Sequence, residues 1–252
     1  MSDYRIAIPS YRRAKTLRSK TLSLLTNSNI DPSRIDIFVG DEDDAALYKR
    51  TLPGTWYERI IVGVPGMGPI RNFINDHYAE GQRGLNIDDD IKSIVRRIDD
   101  KTLEPVEDLD GLIKTGFRLA EQSGLRLWGI YPVGNPYFMK RRARFDLTYI
   151  VGAFWGTTIG RGDECYVTLE DKEDYERTLR YYSVDGGVVR IEDVALVTNY
   201  YGEEGGMQHD GNRTPERIEA SALMLVERFP DLCSLNTSKK SGHAEIRLKD
   251  RR

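Results

Sequence analysis

Through the first 90 residues, short apolar runs alternate with helical patterns, and this alternation constrains the fold more than any other feature of the chain. The runs at 4–8, 35–39, 60–64 and 85–87 have strand character. Each ends in a polar or glycine-rich loop: Pro9-Ser10-Tyr11-Arg12-Arg13, Gly40-Asp41-Glu42-Asp43-Asp44, Pro65-Gly66-Met67-Gly68-Pro69 and Asp88-Asp89-Asp90. Ala14, Leu17, Thr21, Leu24 and Leu25 recur near a 3.6-residue period. Asp43 or Asp44 stands where a short helix through Leu47 and Tyr48 needs its cap. Pro69 suits the first turn of a helix over 70–78. Strand and helix in alternation predict an α/β fold with a Rossmann-like, mostly parallel sheet flanked by helices. Loops that follow parallel strands gather at one sheet edge, where such folds bind ligands.

The fourth loop carries the strongest chemical signal. Three consecutive carboxylates at a strand end repel one another and need a counter-charge. A hard divalent cation bridging to a diphosphate supplies one, because such cations take oxygen ligands from carboxylates and phosphates. Oxygen-only ligands point to Mn²⁺ or Mg²⁺. An acidic turn is the plain alternative.

Beyond residue 90 the pattern is less regular. Strands are predicted at 93–98, 125–133, 147–159, 165–169 and 188–201. Helices are predicted over 108–122, from about 171 with Tyr175, Leu179 and Tyr182 on one stripe, and from Thr214-Pro215 with Ile218, Ala222, Leu225, Val226 and Phe229 inward. Asp171 and Asp174 have the spacing of a capping box. A strand pair is expected to flank Ser238–Gly242. No linker interrupts the chain, so one domain is expected over 1–252, with a nucleotide-binding first half (1–92) and a second half over 93–252.

Composition excludes several classes. The chain has 252 residues, 39% hydrophobic and 31% charged, and its 14 Tyr argue against disorder. A formal net charge of −3 means that any nucleic-acid contact must come from a local patch. The densest basic run is Lys140-Arg141-Arg142-Ala143-Arg144. Cys165 and Cys233 form no CxxC pair, which fits a reducing cytoplasm and argues against a thiolate zinc site. No stretch approaches the roughly 20 apolar residues that span a bilayer, so no membrane association is expected.

The opening IAIPSYRRAKTL, the GMGPIRNF loop and IDDDI together resemble a GT-A-fold glycosyltransferase, with IDDDI in the place of the Asp-x-Asp motif. The runs LWGIYPVGNPYFMK, DLTYIVGAFWG, EDYERTLRYYSVDGGVVR and TNYYGEEGGMQ are similar to the TET-associated glycosyltransferases of bacteriophages. The likeness runs from about Ile6 to Arg213. GEEGGMQ departs from it, with Glu204 where Pro is expected. The resemblance implies transfer of a sugar from a nucleotide-sugar, a UDP-sugar, to the hydroxyl of 5-hydroxymethylcytosine in phage DNA, in the bacterial host cytoplasm.

Roles follow residue by residue. The resemblance implies direct metal contact for Asp90, with Asp88 holding ribose or metal; Asp89 belongs to the same donor-binding motif but is the acid left out of the metal contact, free to point into a turn. Pro9, Ser10, Tyr11 and Arg12 end the first strand, where this fold holds base and ribose, and Asp41 and Glu42 end the second. Gly66 and Gly68 permit close backbone approach, and Arg71 and Asn72 begin a helix whose free N–H groups would meet an anion. A hydroxymethyl group is a poor nucleophile, so a carboxylate is needed to take its proton. Asp174 matches the family's acidic motif best, ahead of Asp171, with Glu173 and Glu170 behind; helix capping is the competing role of this cluster. His209 is a candidate third metal ligand, and Arg213 a candidate diphosphate grip. Trp128, Asn135 and Trp155 are candidates for the acceptor pocket, with Lys140, Arg141 and Arg142 on DNA phosphates. Two other enzymatic readings keep the fold: transfer to a polysaccharide, protein or small molecule, and a sugar nucleotidyltransferase.

Overall fold

The computed structural model describes residues 4–198, 214–236 and 244–249. One ten-stranded sheet runs through it. Four strands form its parallel half in the order β3 (Arg59–Val62), β2 (Ile35–Val39), β1 (Arg5–Pro9) and β4 (Arg83–Ile87). Both faces of β1, β2 and β4 are buried, which explains why their sequences read as continuous apolar runs.

The helices between them follow the expected order. A helical stretch runs through α1 (Ala14–Leu17), a wider π-type turn (Arg18–Leu22) and α2 (Ser23–Asn27). Then come α3 (Glu42–Thr51) and α4 (Met67–His77). The cap of α3 is Asp41, whose Oδ1 accepts from Asp44 N at 2.8 Å; neither Asp43 nor Asp44 caps it.

Beyond β4 the sheet is mixed. β9 (Phe154–Thr158) lies antiparallel to β4, and β7 (Leu127–Tyr131) antiparallel to β9, so β7 runs the same way as β4. β10 (Val189–Val197) is parallel to β7 and antiparallel to β5 (Ser93–Arg97), with β6 (Leu103–Pro105) outermost. The short β8 (Ala143–Arg144) pairs with β10. Helix α5 (Leu109–Gln122) covers β7 and β9, with Phe117 edge-on to Trp128 at 5.3 Å. Helix α6 (Glu173–Asp185), helix α7 (Pro215–Arg228) and the hairpin β11 (Cys233–Asn236) and β12 (Glu245–Leu248) enclose a second apolar cluster around Leu147, Leu179, Leu225 and Ile246.

Three expectations are corrected. Of the stretch 147–159 only Phe154–Thr158 is strand, because a buried apolar run reads alike whether it pairs in a sheet or not. The expected strand at 165–169 joins no sheet: Cys165 ends a short 3-10 turn, Tyr166 N donates to Asp163 O, Val167 N to Asn72 Oδ1, and Thr168 N and Leu169 N to the buried Glu176. Asp171 and Asp174 form no capping box; Lys172, left-handed at φ 62, precedes α6 and no side chain caps it.

Candidate active site

The carboxyl ends of β1 and β4 bring two loops together. Ser10 Oγ donates to Asp89 Oδ2 at 2.5 Å and accepts from Tyr48 Oη at 2.5 Å. Arg13 reaches Asp89 Oδ1 at 3.0 Å and Asp90 Oδ2 at 3.2 Å. Arg12 takes the left-handed conformation (φ 55), is exposed and lies over the Tyr11 ring at 4.9 Å, while Arg13 turns inward. Arg13 is thus the arginine of this loop that grips the acidic motif, a residue to which the sequence assigns no role; Arg12, expected at the base and ribose, makes neither of these bonds. Burial raises the Asp89 carboxyl to about 7 against the opposing charge of Arg13 and the hydrogen bond from Ser10. It is the member of the triplet most withdrawn from solvent.

Asp88 and Asp90 face outward more, with side chains 30% and 16% exposed. The Thr21 hydroxyl, from the π-type turn, donates to Asp88 O at 2.6 Å and accepts from Ile91 N at 2.9 Å, so the helical stretch fixes the backbone on both sides of the motif. Asp88 Oδ1 accepts from Arg71 at 2.6 Å. Arg71 is buried, gives a second bond to Gly152 O at 3.1 Å, and lies 3.8 Å from Glu173 Oε1. Burial alone would depress this guanidinium; the charges of Asp88 and Glu173 raise it instead.

Gly152 joins the motif to α6. The neighbouring Ala153 O accepts from Asp88 N at 3.0 Å, and a Cβ at Gly152 would meet Glu173 Oε1 at 3.0 Å and Asp174 Cβ at 3.3 Å. Glu173 is buried and paired with Arg177, whose guanidinium stacks on Trp155 at 3.8 Å. Burial raises the Glu173 carboxyl, opposed by Arg177 and Arg71. Asp174 is half-buried; its Oδ2 accepts from the Tyr149 hydroxyl, and the Tyr149 ring stacks on Tyr175 at 4.4 Å. Burial and the adjacent Asp174 hold the Tyr149 phenol well above its usual value, so it remains a proton donor.

Several candidates have other duties here. The amino end of α4 is filled from within: Glu170 Oε2 accepts from Met67 N at 2.6 Å and Gly68 N at 3.3 Å. Gly66, at φ 98, must lack a Cβ because one would meet Glu170 Oε1 at 2.6 Å. Gly68 packs on Leu169 O, and Asn72 clasps both backbone groups of Val167 at 2.8 and 2.9 Å. The GMG loop is therefore a docking point for residues 167–170, and the anion at that helix end is a side chain of the chain itself. Pro9 is buried in β1, Asp41 caps α3, and Glu42 is exposed in its first turn. Asp171 is buried 3.5 Å from Arg217, away from the role of base. Trp128 is fully buried between Gly116 and Gly156, and Trp155 is 6% exposed beneath Arg177, so neither ring is open to an acceptor. Asn135 holds its own loop, accepting from Tyr137 N at 3.1 Å. His209, Arg213 and the GEEGGMQ segment lie outside the described residues.

The donor set fits a divalent cation in part. Asp88, Asp89, Asp90, Glu173 and Asp174 face three guanidiniums, Arg13, Arg71 and Arg177, which leaves the cluster negative even with Asp89 protonated. Asp88 and Asp90 supply oxygen ligands at its outer face. Among the described residues no three His, Cys, Asp or Glu side chains stand together as a metal shell; diphosphate and water oxygens would add to the two carboxylates.

No protein-family model matches the sequence, and no curated protein matches it either. Solved structures do. S. aureus TarS (residues 1–349) superposes with a TM-score of 0.50 and 16% identity over 77% of this chain and 59% of that one. A mannosyltransferase, PcManGT from Pyrobaculum calidifontis, solved with GDP-Man and Mn²⁺, gives 0.56 and 13% over 91% of this chain and 64% of that one. A mycobacterial protein gives 0.54 and 10% over 98% and 85%. This chain thus spans less than two thirds of the first two. With the strand order and loop positions above, these likenesses establish the GT-A fold. Among the described residues no helix is long and apolar enough to cross a membrane.

Proposed function

We propose that this chain is a metal-dependent glycosyltransferase that moves a sugar from a nucleotide-sugar to a hydroxyl acceptor. The carrying observation is the bridge from Asp88 through Arg71 and Gly152 to Glu173 and Asp174, which ties the acidic motif after β4 to a separate carboxylate on α6. A Mn²⁺ or Mg²⁺ ion held by Asp88 and Asp90 would offset the charge that builds on the leaving diphosphate. Arg13 and Arg71 fix those two carboxylates in place. Asp174 takes the proton of the attacking hydroxyl, with Oδ2 held by the Tyr149 hydroxyl and Oδ1 by Tyr175 N at 2.9 Å. Residues 1–92 form the donor half and 93–252 the acceptor half.

The finer reading is a UDP-sugar as donor and 5-hydroxymethylcytosine in DNA as acceptor. Its support is the order and spacing of the motifs from IAIPSYRRAKTL to TNYYGEEGGMQ. Incubation with Mn²⁺, a panel of UDP- and GDP-sugars and hydroxymethylated DNA, followed by digestion and mass analysis of the nucleosides, tests it. One hexose mass on the modified nucleoside is expected. No gain with any donor overturns the acceptor assignment. Asp88→Ala and Asp90→Ala are each expected to lower turnover by at least about 100-fold; donor hydrolysis that persists in both variants overturns the metal assignment.

A further inference from the structure

The two tryptophans that the sequence offers as stacking platforms are buried, yet another aromatic pair stands in the open. Tyr137 and Phe138 are 69% and 59% exposed, edge-to-face at 5.0 Å. They sit on the loop that follows β7. Because β7 runs the same way as β4, this loop leaves β7 at the same sheet edge as the three Asp, two strand spacings or roughly 10 Å from β4, and its anchors on β10 and β5 carry it further along that edge.

The loop is pinned. Asn135 Oδ1 accepts from Tyr137 N at 3.1 Å and Asn135 O from Phe138 N at 3.1 Å. Arg97 Nε holds Pro136 O at 2.9 Å, and Lys140 N donates to Glu192 O on β10. Met139, between the aromatics and the basic run, is fully buried against Val95 and Ala195. The backbone thus drives one side chain down and turns two large rings out. Two rings exposed together on an anchored loop mark an interaction surface rather than slack.

The charge beside them is positive. Lys140 and Arg141 are exposed, and among the described residues their bonding partners are the backbone carbonyls of Tyr137 and Ile98, not carboxylates. The acid next to them, Glu192, is consumed by Arg142 at 2.7 Å and Arg190 at 2.8 Å. The adjoining turn carries two acids, Asp99, which accepts from Lys101 N and Thr102 N, and the exposed Asp100, which pairs with Arg97.

We propose that Tyr137, Phe138, Lys140 and Arg141 form the surface that engages the DNA acceptor, an inference that rests on the DNA reading above. The rings stack on bases exposed when the target nucleotide leaves the duplex, and the two cations meet flanking phosphates. A hydroxymethyl group must reach the sheet edge to be attacked, and an intact duplex does not present it there. Aromatic faces accept any base, while cations on phosphates add a salt-dependent, sequence-independent affinity.

The test uses the full chain with Mn²⁺ and a short duplex carrying one hydroxymethylated cytosine. Binding is read at several salt concentrations and transfer by nucleoside mass. Tyr137→Ala/Phe138→Ala is expected to weaken binding and transfer by about 10- to 100-fold with the salt slope unchanged. Lys140→Ala/Arg141→Ala is expected to reduce the slope of log affinity against log salt by about 2. UDP affinity and the melting temperature report whether each variant is folded and donor-competent. If the aromatic variant modifies the duplex as the parent does, this surface is overturned while the acceptor reading stands. If the parent chain glycosylates a protein or glycan and never DNA, both fall, and loss of that transfer in the aromatic variant would assign the surface to the other acceptor.

Discussion

Asp174 shows how little of a catalytic role one residue carries by itself. Its carboxylate is useful as a base only if it is held in place with a lone pair still open to the acceptor; the Tyr149 hydroxyl holds Oδ2 and Tyr175 N holds Oδ1 at 2.9 Å, one bond to each oxygen. Tyr149 comes from the non-strand stretch before β9, and stacking on Tyr175 keeps its ring in place. Tyr149→Phe is expected to lower kcat about tenfold with little change in the donor KM, because it removes an orienting bond and no donor contact. Steady-state kinetics with a fixed acceptor check this; an unchanged kcat counts against Asp174 as the base. Arg13 makes the same point from the other loop. The sequence marks two arginines after β1, but only the left-handed turn at Arg12 decides that the second one grips Asp89 and Asp90.

At the level of elements, α4 departs most from expectation. A glycine-rich loop entering a helix suggests an anion site, and an anion is present, but it is Glu170. The physics of the helix end was legible and its occupant was not, since Glu170 is 103 positions from Met67 in the chain. Glu170→Gln is expected to cost about 1 kcal/mol, as loss of a charged helix-end acceptor does. UDP affinity should stay unchanged. Urea denaturation with a parallel UDP titration separates the two; a large drop in UDP affinity would return α4 to the donor site. The stretch 167–169 teaches a related lesson. It is apolar and extended like a strand, yet Asn72 and Glu176 satisfy its amides, so it joins no sheet.

For the molecule as a whole, the parallel half of the sheet is tied at one buried carboxylate. Asp36 on β2 is fully buried and meets Arg5 of β1 at 2.5 Å, Arg59 of β3 at 2.8 Å and the Tyr78 hydroxyl after α4 at 2.9 Å. Burial pushes its carboxyl up, but hydrogen bonds from Arg59 and Arg5 outweigh that and hold it below the usual carboxylate range. A folded-state value below the unfolded one means stability that is present above about pH 4 and is lost as pH falls through the folded value. Asp36→Asn is therefore expected to cost about 3 kcal/mol near neutral pH, with the deficit closing below about pH 4. Denaturation midpoints of both proteins across pH 3–7 check the sign; a gap that widens in acid refutes it.

Local pattern determined the strand–helix alternation and the acidic motif at the end of the fourth strand, because apolar periodicity and loop composition are properties of neighbours in the chain, and the resemblance of its motifs pointed to the GT-A fold. The tertiary structure alone decided which side chains meet. It buried Trp128 and Trp155, exposed Tyr137 and Phe138, filled the α4 terminus with Glu170, and brought Asp174 to Asp88 through Arg71 and Gly152. Each of these depends on contacts between residues far apart in sequence or on a single backbone torsion, and composition and spacing encode neither.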